Sequence, residues 1–382
     1  MKYQQRQILP SVFRAYDIRG IVGLELDEQA FYTIGLAIAY TLTKLKQSQI
    51  FIGQDGRLSS AALAQALKQG LLDSGIDVKD LGLVTSPILY YATHTQGINS
   101  GLMVTGSHNP ADYNGIKMVL CGNTLKQEDI NALYQLVVAG KRVYGQGQAF
   151  FVDIVEDYLQ RIVSDIRLQA KLKVVVDCGN GVAGLIAPKV LKALGCEVIP
   201  LYCEVDGHFP NHHPDPTLEE NLEDLKKAVL ANQAYIGLAF DGDGDRLGVV
   251  SNSGTMIIPD RLMMLYAKAL LSQSPGATIV YDVKCSSHLE QVIRAAGGVA
   301  KMCPTGHSIV KAVMRQEQAA LAGEMSGHLF FKHRWFGFDD ALYSACRLLE
   351  ILSAQNAPVD EQFKDIPQSI NTPELKIAIA EE

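Results

Sequence analysis

Three aspartates, Asp241, Asp243 and Asp245, alternate with Gly242 and Gly244 in the stretch FDGDGDRLGVV, directly behind the apolar run AYIGLA. Carboxylates packed this densely repel one another, each close pair by roughly 2–4 kcal/mol at an effective dielectric near ~20. The glycines leave the loop pliable where side chains would stiffen it. A hard divalent cation with oxygen ligands, Mg²⁺ above all, relieves the repulsion most economically. A solvated acidic turn is the plainer alternative, and the flanking strands disfavour it. A calcium loop of the EF-hand type needs glycine at its sixth place and glutamate at its twelfth; Arg246 and Asn252 stand there instead. Arg246, directly behind the acids, points to an anionic ligand, because an arginine and a cation together grip phosphate well.

The second chemical stretch is VTGSHNP at 104–110, which displays Ser107 on a short bend. Alone, such a serine caps a helix or closes a turn. Beside the aspartates it acquires a role. Three carboxylates leave Mg²⁺ coordination positions open, and a phosphoryl group carried by Ser107 would supply an oxygen to one of them. A serine hydrolase expects G-x-S-x-G, whereas residue 109 is Asn. His108 is expected to point away from Ser107, since adjacent side chains diverge. Phosphoryl transfer is therefore favoured over acyl transfer.

These residues need a scaffold. The chain has 382 residues, 48% hydrophobic and 20% charged, an ordinary globular composition with length for two or three domains. A formal charge of -7 argues against nucleic acid as a partner. The N-terminal stretch has no apolar core of the secretory kind, and runs such as LAIAY are too short to cross a bilayer. Seven cysteines at 121, 178, 196, 203, 285, 303 and 346 form no C-x-x-C pair. They read as reduced thiols of a cytoplasmic protein.

Three stretches share one layout: QIFIGQDGRLSSAALAQALKQGLLDSGIDVKDLG, LKVVVDCGNGVAGLIAPKVLKALGCEVIPL and ATIVYDVKCSSHLEQVIRAAGGVAKM. In each, a β-branched apolar run ends in an acid (Asp55, Asp177, Asp282), a helical pattern follows, and a glycine (Gly75, Gly195, Gly298) precedes a second apolar run. This is βαβ patterning. The expected fold is α/β, with three successive similar domains. Glycine- and polar-rich punctuation at 139–150, 249–260 and 356–374 divides the chain into 1–153, 154–253, 254–368 and a short remainder, 369–382.

Together the motifs resemble the α-D-phosphohexomutases, specifically the bacterial phosphomannomutase/phosphoglucomutase branch. TGSHNP resembles the family's phosphoserine loop, DGDGDR its metal loop, GEMSGH (323–328) its sugar-recognition loop and FRAYDIRG (13–20) its N-terminal signature, all in the family's order. Glucosamine-directed relatives typically carry EQSGH and an alanine before the serine, so Met325 and Gly106 suit the mannose/glucose branch. The resemblance implies mixed sheets around a central cleft and a fourth domain with an R-x-S-N-T-type loop. No such loop follows 368, so the fourth domain is expected to be absent and 369–382 to be its linker or start.

By the same resemblance Ser107 carries the phosphoryl group, and Asp241, Asp243 and Asp245 hold Mg²⁺ together with a phosphoserine oxygen. Hexose 1,6-bisphosphate is the implied intermediate and activator, hexose phosphates the small-molecule partners, and a monomer the expected state. Arg246 and Lys117 would neutralise the transferring group. Lys117 or His328 would serve as general acid or base. Glu324 and Ser326 would bind the sugar 3- and 4-hydroxyls, with Tyr16, Arg19, Lys284 and His307 as further substrate contacts. Asp55 and Arg57 are left as structural. Two rivals remain open: a Mg²⁺ phosphohydrolase with an aspartate nucleophile, and a shortened homologue that binds sugar phosphate without turnover.

Overall fold

The computed structural model describes residues 3–355 and 357–369; the remainder from 370 onward, expected as a linker, lies outside the described residues. Seven strands form the first sheet: β1 (Ile18–Ile21), β2 (Gln49–Gln54), β3 (Asp77–Leu83), β4 (Gly101–Val104), β5 (Tyr113–Leu120), β6 (Asn123–Thr124) and β7 (Ala149–Phe151). The second contains β8 (Lys173–Asp177), β9 (Glu197–Leu201), β10 (Ile236–Phe240), β11 (Leu247–Ser251) and β12 (Met256–Ile257). The third contains β13 (Thr278–Asp282), β14 (Val299–Cys303), β15 (Leu321–Gly323) and β16 (Leu329–Phe331).

All three sheets are mixed, and they repeat one plan. A central strand (β2, β8, β13) runs parallel to a strand on either side, β3 and β4, β9 and β10, β14 and β15. The third strand of each set then turns back into an antiparallel partner: β4 into β5, β10 into β11, β15 into β16. The three motif loops are these three turns. TGSHNP joins β4 to β5, DGDGDR joins β10 to β11, and GEMSGH joins β15 to β16. One topological position, used three times, supplies the chemistry.

Local signals explain the connecting helices. The helix Glu28–Lys44 is capped by Asp27, whose carboxylate accepts from the Ala30 N–H, with Glu28 in its first turn and Lys44 in its last. Thr85 caps Ser86–Thr95, which carries Pro87 in its first turn. In the first two repeats Gly75 and Gly195 take positive φ past their helices, as expected, but in the third the residue that does so is Gly297. Gly298 is instead small because a Cβ there would press on Leu271.

The first sheet is buried on both faces. Ile50 and Ile52 point into a core within the first unit, while Phe51 and Met103 point into a larger core shared with the other two. An aromatic knot ties the units together. Tyr91 comes from the first, Tyr158 from the helix Val155–Asp165, and Trp335, Phe336 and Phe338 from the third. Trp335 stacks on Tyr343 at 4.1 Å between centroids, and Tyr91 lies 5.5 Å from Tyr158. Buried Asp340 closes the knot: it accepts from the Tyr158 hydroxyl at 2.9 Å, the Trp335 indole N–H at 3.2 Å and the Tyr343 backbone N–H at 2.9 Å.

Burial raises the Asp340 carboxyl from 3.8 to about 7, against those three hydrogen bonds. The folded state therefore keeps a proton that the unfolded chain has lost, so stability falls as pH rises from about 4 to about 7, by at most ~1.4 kcal/mol per pH unit. Thermal denaturation across that range should show the decline in the parent protein and a flatter profile in Asp340→Asn. An unchanged slope in the variant removes Asp340 as the source.

Candidate active site

The serine loop is set by buried charge. Asp55, one residue beyond β2, accepts from the Thr105 hydroxyl at 2.7 Å, the Gly106 N–H at 3.1 Å and the Ser60 hydroxyl at 2.5 Å. Arg57 donates to the carbonyls of Ser107 (2.7 Å), Asn109 (2.6 Å), Pro110 (2.5 Å) and Tyr113 (3.0 Å). Its guanidinium lies so close that a Cβ at residue 106 would come within 2.3 Å of it, so a side chain there would have to displace Arg57 from its carbonyl partners. Arg19, expected as a substrate contact, donates to the Gly106 carbonyl and pairs with Asp17 at 2.5 Å. Asp55 and Arg57, left as structural in the sequence reading, hold the serine loop together through these contacts.

Ser107 is not displayed to solvent. It is 2% exposed and has φ of 49°, a left-handed conformation uncommon outside glycine. That twist overturns the expectation for His108, whose Nδ1 lies 3.3 Å from Ser107 Oγ. Burial, with Arg246 and Arg19 adding repulsion, holds the His108 imidazole well below its ordinary pKa and hence neutral. The rule that adjacent side chains diverge assumes extended or helical backbone, and a left-handed residue breaks it.

The acidic loop folds around its first residue. Asp241 Oδ1 accepts from the N–H groups of Gly244 (3.0 Å), Asp245 (2.9 Å) and Arg246 (3.1 Å), while Oδ2 accepts from Ser107 Oγ at 3.1 Å. Gly242 passes so near Ser107 that a Cβ there would meet its carbonyl at 2.4 Å. All three aspartates are fully buried, and each offers an oxygen within 4.8 Å of the others. Burial, then the Asp243 and Asp245 charges, push the Asp241 carboxyl well above the usual range.

The other units answer this charge. Lys117 on β5, buried and not a solvated edge residue, donates to Asp243 at 2.6 Å and to Asp245. Burial disfavours its ammonium, but the two carboxylates outweigh burial and hold its pKa well above the ordinary value. Ser86, opening its helix, donates its hydroxyl to Asp243 Oδ2 at 2.5 Å and its N–H to the Asp243 carbonyl at 2.9 Å. Asp243 Oδ1 and Asp245 Oδ1 accept no aligned hydrogen bond. Buried carboxylate oxygens of this kind suit a hard cation.

The sugar-loop motif joins from the third unit. Arg246 and His328 form an antiparallel bridge, so the two loops share backbone pairing. His328 Nε2 faces Asp245 Oδ1 at 3.2 Å; its Nδ1 faces Glu324 Oε2 at 3.2 Å and Ser326 Oγ at 3.0 Å. Burial opposes the imidazolium, but these carboxylates raise its pKa to about 9. Glu324 is lowered in turn, the His328 contact outweighing burial. Asp282 holds this loop much as Asp55 holds the first, accepting from the Met325 N–H at 3.1 Å and the Thr305 hydroxyl at 2.8 Å.

His307 opens the helix His307–Gln316, with its ring 5.7 Å from that of His328 and 6.3 Å from that of Tyr16. Tyr16 donates to the Thr305 carbonyl at 3.2 Å, bringing the N-terminal signature to the third unit. Lys284 stands exposed in the turn after β13. The sequence signalled nothing of Lys311 and Asp339, a buried pair at 2.9 Å beside His307. Cavities of about 540 and 870 Å³ lie along the seam between the first and third units, and none of the three motif loops lines them.

Comparison with known proteins agrees with this arrangement. The three α/β/α domain models of phosphoglucomutase/phosphomannomutase match in order, domain I at residues 10–143, domain II at 155–254 and domain III at 258–370. The chain is 53% identical over 372 residues to a phosphomannomutase/phosphoglucomutase of Pseudomonas putida, covering 97% of this chain and 80% of that protein. It is 50% identical over 376 residues to a phosphoglucomutase of Neisseria gonorrhoeae, covering 98% and 82%. A crystal structure of a phosphoglucomutase/phosphomannomutase family protein from Burkholderia thailandensis superposes with a TM-score of 0.93 at 47% identity, covering 96% of this chain and 82% of that one. With the serine, acidic and GEMSGH loops converging from three copies of one α/β plan, the chain belongs to the phosphoglucomutase/phosphomannomutase family, the bacterial branch of the α-D-phosphohexomutases.

Proposed function

We propose that this protein moves a phosphoryl group reversibly between C1 and C6 of mannose or glucose phosphate, with Ser107 as carrier and a hexose 1,6-bisphosphate as the intermediate that turns over in place. The observation that carries the reading is Ser107 Oγ, buried and 3.1 Å from Asp241 inside the aspartate cluster. Domains I, II and III are taken as 1–153, 154–253 and 254–368. Asp241, Asp243 and Asp245, with an oxygen of phosphorylated Ser107, would hold Mg²⁺. When bound, the ion polarises the phosphoryl group and neutralises its charge.

This chain's residues do the rest by position and charge. Arg246 and Lys117 bracket the transferring group. As the phosphoryl group passes to a sugar hydroxyl, that hydroxyl gives up a proton and Ser107 Oγ gains one. Lys117 and His328 are the two candidates to move the sugar proton, and neutral His108 lies 3.3 Å from the serine hydroxyl, beside Asp241 at 3.1 Å. Glu324 and Ser326 would accept from and donate to the 3- and 4-hydroxyls. Tyr16, Lys284 and His307 would be further substrate contacts, and Arg19 would act through the serine loop, to whose Gly106 carbonyl it donates. Hexose 1,6-bisphosphate would serve as activator by rephosphorylating Ser107.

Three measurements test the reading. Ser107→Ala should lose conversion of mannose or glucose 1-phosphate to the 6-phosphate at least ~10³-fold, and lose the phosphoserine peptide in mass spectrometry, with little change in stability. Steady release of inorganic phosphate by the parent, without isomerisation, would identify a hydrolase instead.

Asp243→Asn should need far more Mg²⁺ for half-maximal rate and lose roughly 10²-fold at saturation. A wild-type enzyme indifferent to chelator removes the metal assignment.

Lys117→Met and His328→Gln separate the two proton candidates. The true one, when replaced, should slow single-turnover transfer from phosphorylated Ser107 by roughly 10²-fold or more. Replacing the other should mainly raise KM. Equal, small effects on both would exclude the pair.

A further inference from the structure

Behind the metal loop, β8 and β9 end side by side, with Asp177 paired to Leu201. Just beyond those ends Cys203 Sγ lies 3.5 Å from Cys178 Sγ, in van der Waals contact, with both thiols free. The register sets Tyr202 opposite Cys178 and Cys203 one residue beyond it, so the two cysteines are diagonal neighbours on strands about 4.8 Å apart, a separation from which a disulfide's Cα span is reachable. Bond formation therefore needs side-chain rotation and a small closing of the strand ends. Cys203 is partly exposed and Cys178 is buried beneath it. We propose that Cys178 and Cys203 form a reversible disulfide when the protein meets a hydroperoxide, a modification site coupled through the backbone to the metal loop.

The two thiols are unequal in the way such chemistry requires. The hydrogen bond with Cys178 lowers the Cys203 thiol, while burial pushes the Cys178 thiol well up. The Cys203 thiolate attacks the peroxide O–O bond: an S–O bond forms, the O–O bond breaks, and the departing oxygen takes a proton to leave as alcohol or water. Cys178 then loses its proton and its sulfur displaces the hydroxyl of the Cys203 sulfenic acid, which leaves as water. Two thiols give up two electrons, and the hydroperoxide accepts them.

Coupling follows from the turn that Cys178 opens. Its carbonyl accepts from the Gly181 N–H at 2.7 Å, and the next residue, Val182, donates to the Gly242 carbonyl at 3.3 Å. A Cβ on Gly181 would come within 2.9 Å of that same carbonyl oxygen. Drawing Cys178 toward Cys203 therefore displaces a turn that has no slack against Gly242.

The full chain treated with hydrogen peroxide at neutral pH should become about 2 Da lighter, lose two of its seven free thiols, and yield one non-reduced peptide linking Cys178 to Cys203. Dithiothreitol should restore all three readouts. Cys203→Ser and Cys178→Ala, each checked for native circular dichroism, should both prevent the cross-link. Hydrogen exchange at the Gly242 peptide should change on oxidation of the parent and not of the variants. A cross-link elsewhere, or oxidation of Cys203 to sulfinic acid (about 32 Da heavier) in its place, overturns the disulfide. A linked protein with unaltered exchange at Gly242 overturns the coupling.

Discussion

Three buried aspartates within reach of one another are the constraint around which this molecule is arranged. Dry carboxylates repel strongly, and each loses its hydration on burial. The loop's own N–H groups satisfy one oxygen of Asp241. The remaining oxygens draw Lys117 and Ser86 from the first unit and His328 from the third. The second unit supplies the charge and its neighbours supply the answer. Contact among the three units is thus electrostatic at the cleft and aromatic behind it.

The repeated plan makes this convergence possible. Each unit offers the turn between its third parallel strand and the returning antiparallel strand. An acid at the end of the central strand steadies that turn in two of the three cases, Asp55 for the serine loop and Asp282 for the sugar loop. In the second unit Asp177 turns instead to Gly179 and His212. There Asp241 organises its own loop, so the strand-end acid is freed from that work. One scaffold plan, used three times, keeps its geometry and divides the chemistry.

Much of this was legible in the sequence because it is local. β-branched runs ending in acids announce buried strands, and alternating aspartate and glycine announce a loop that crowds charge. Ser107, Lys117, Glu324 and His328 were found by motif and meet in space. Features set by tertiary contact were not legible. The His108 position depends on one left-handed residue, and nothing in GSHN distinguishes that conformation from an ordinary turn. Arg57 is an unremarkable arginine until its four carbonyl partners assemble. Lys311 and Asp339 lie 28 residues apart and carry no spacing that would pair them. Gly297 and Gly298 could each have ended the third helix, and only packing against Leu271 decides between them.

Trp335 is the only tryptophan in the chain, and it lies where all three units touch. Tyr91 of the first unit stacks near it at 6.0 Å, Arg161 of the helix Val155–Asp165 covers it at 5.1 Å, and Tyr343 of the third unit lies against its face. Its indole N–H is bonded to Asp340. The emission of a single indole responds to the charge and packing around it. Here that surrounding is made jointly by three bodies, so intrinsic fluorescence reports their mutual orientation directly. The molecule carries its own optical gauge of how its units are disposed, with no label required.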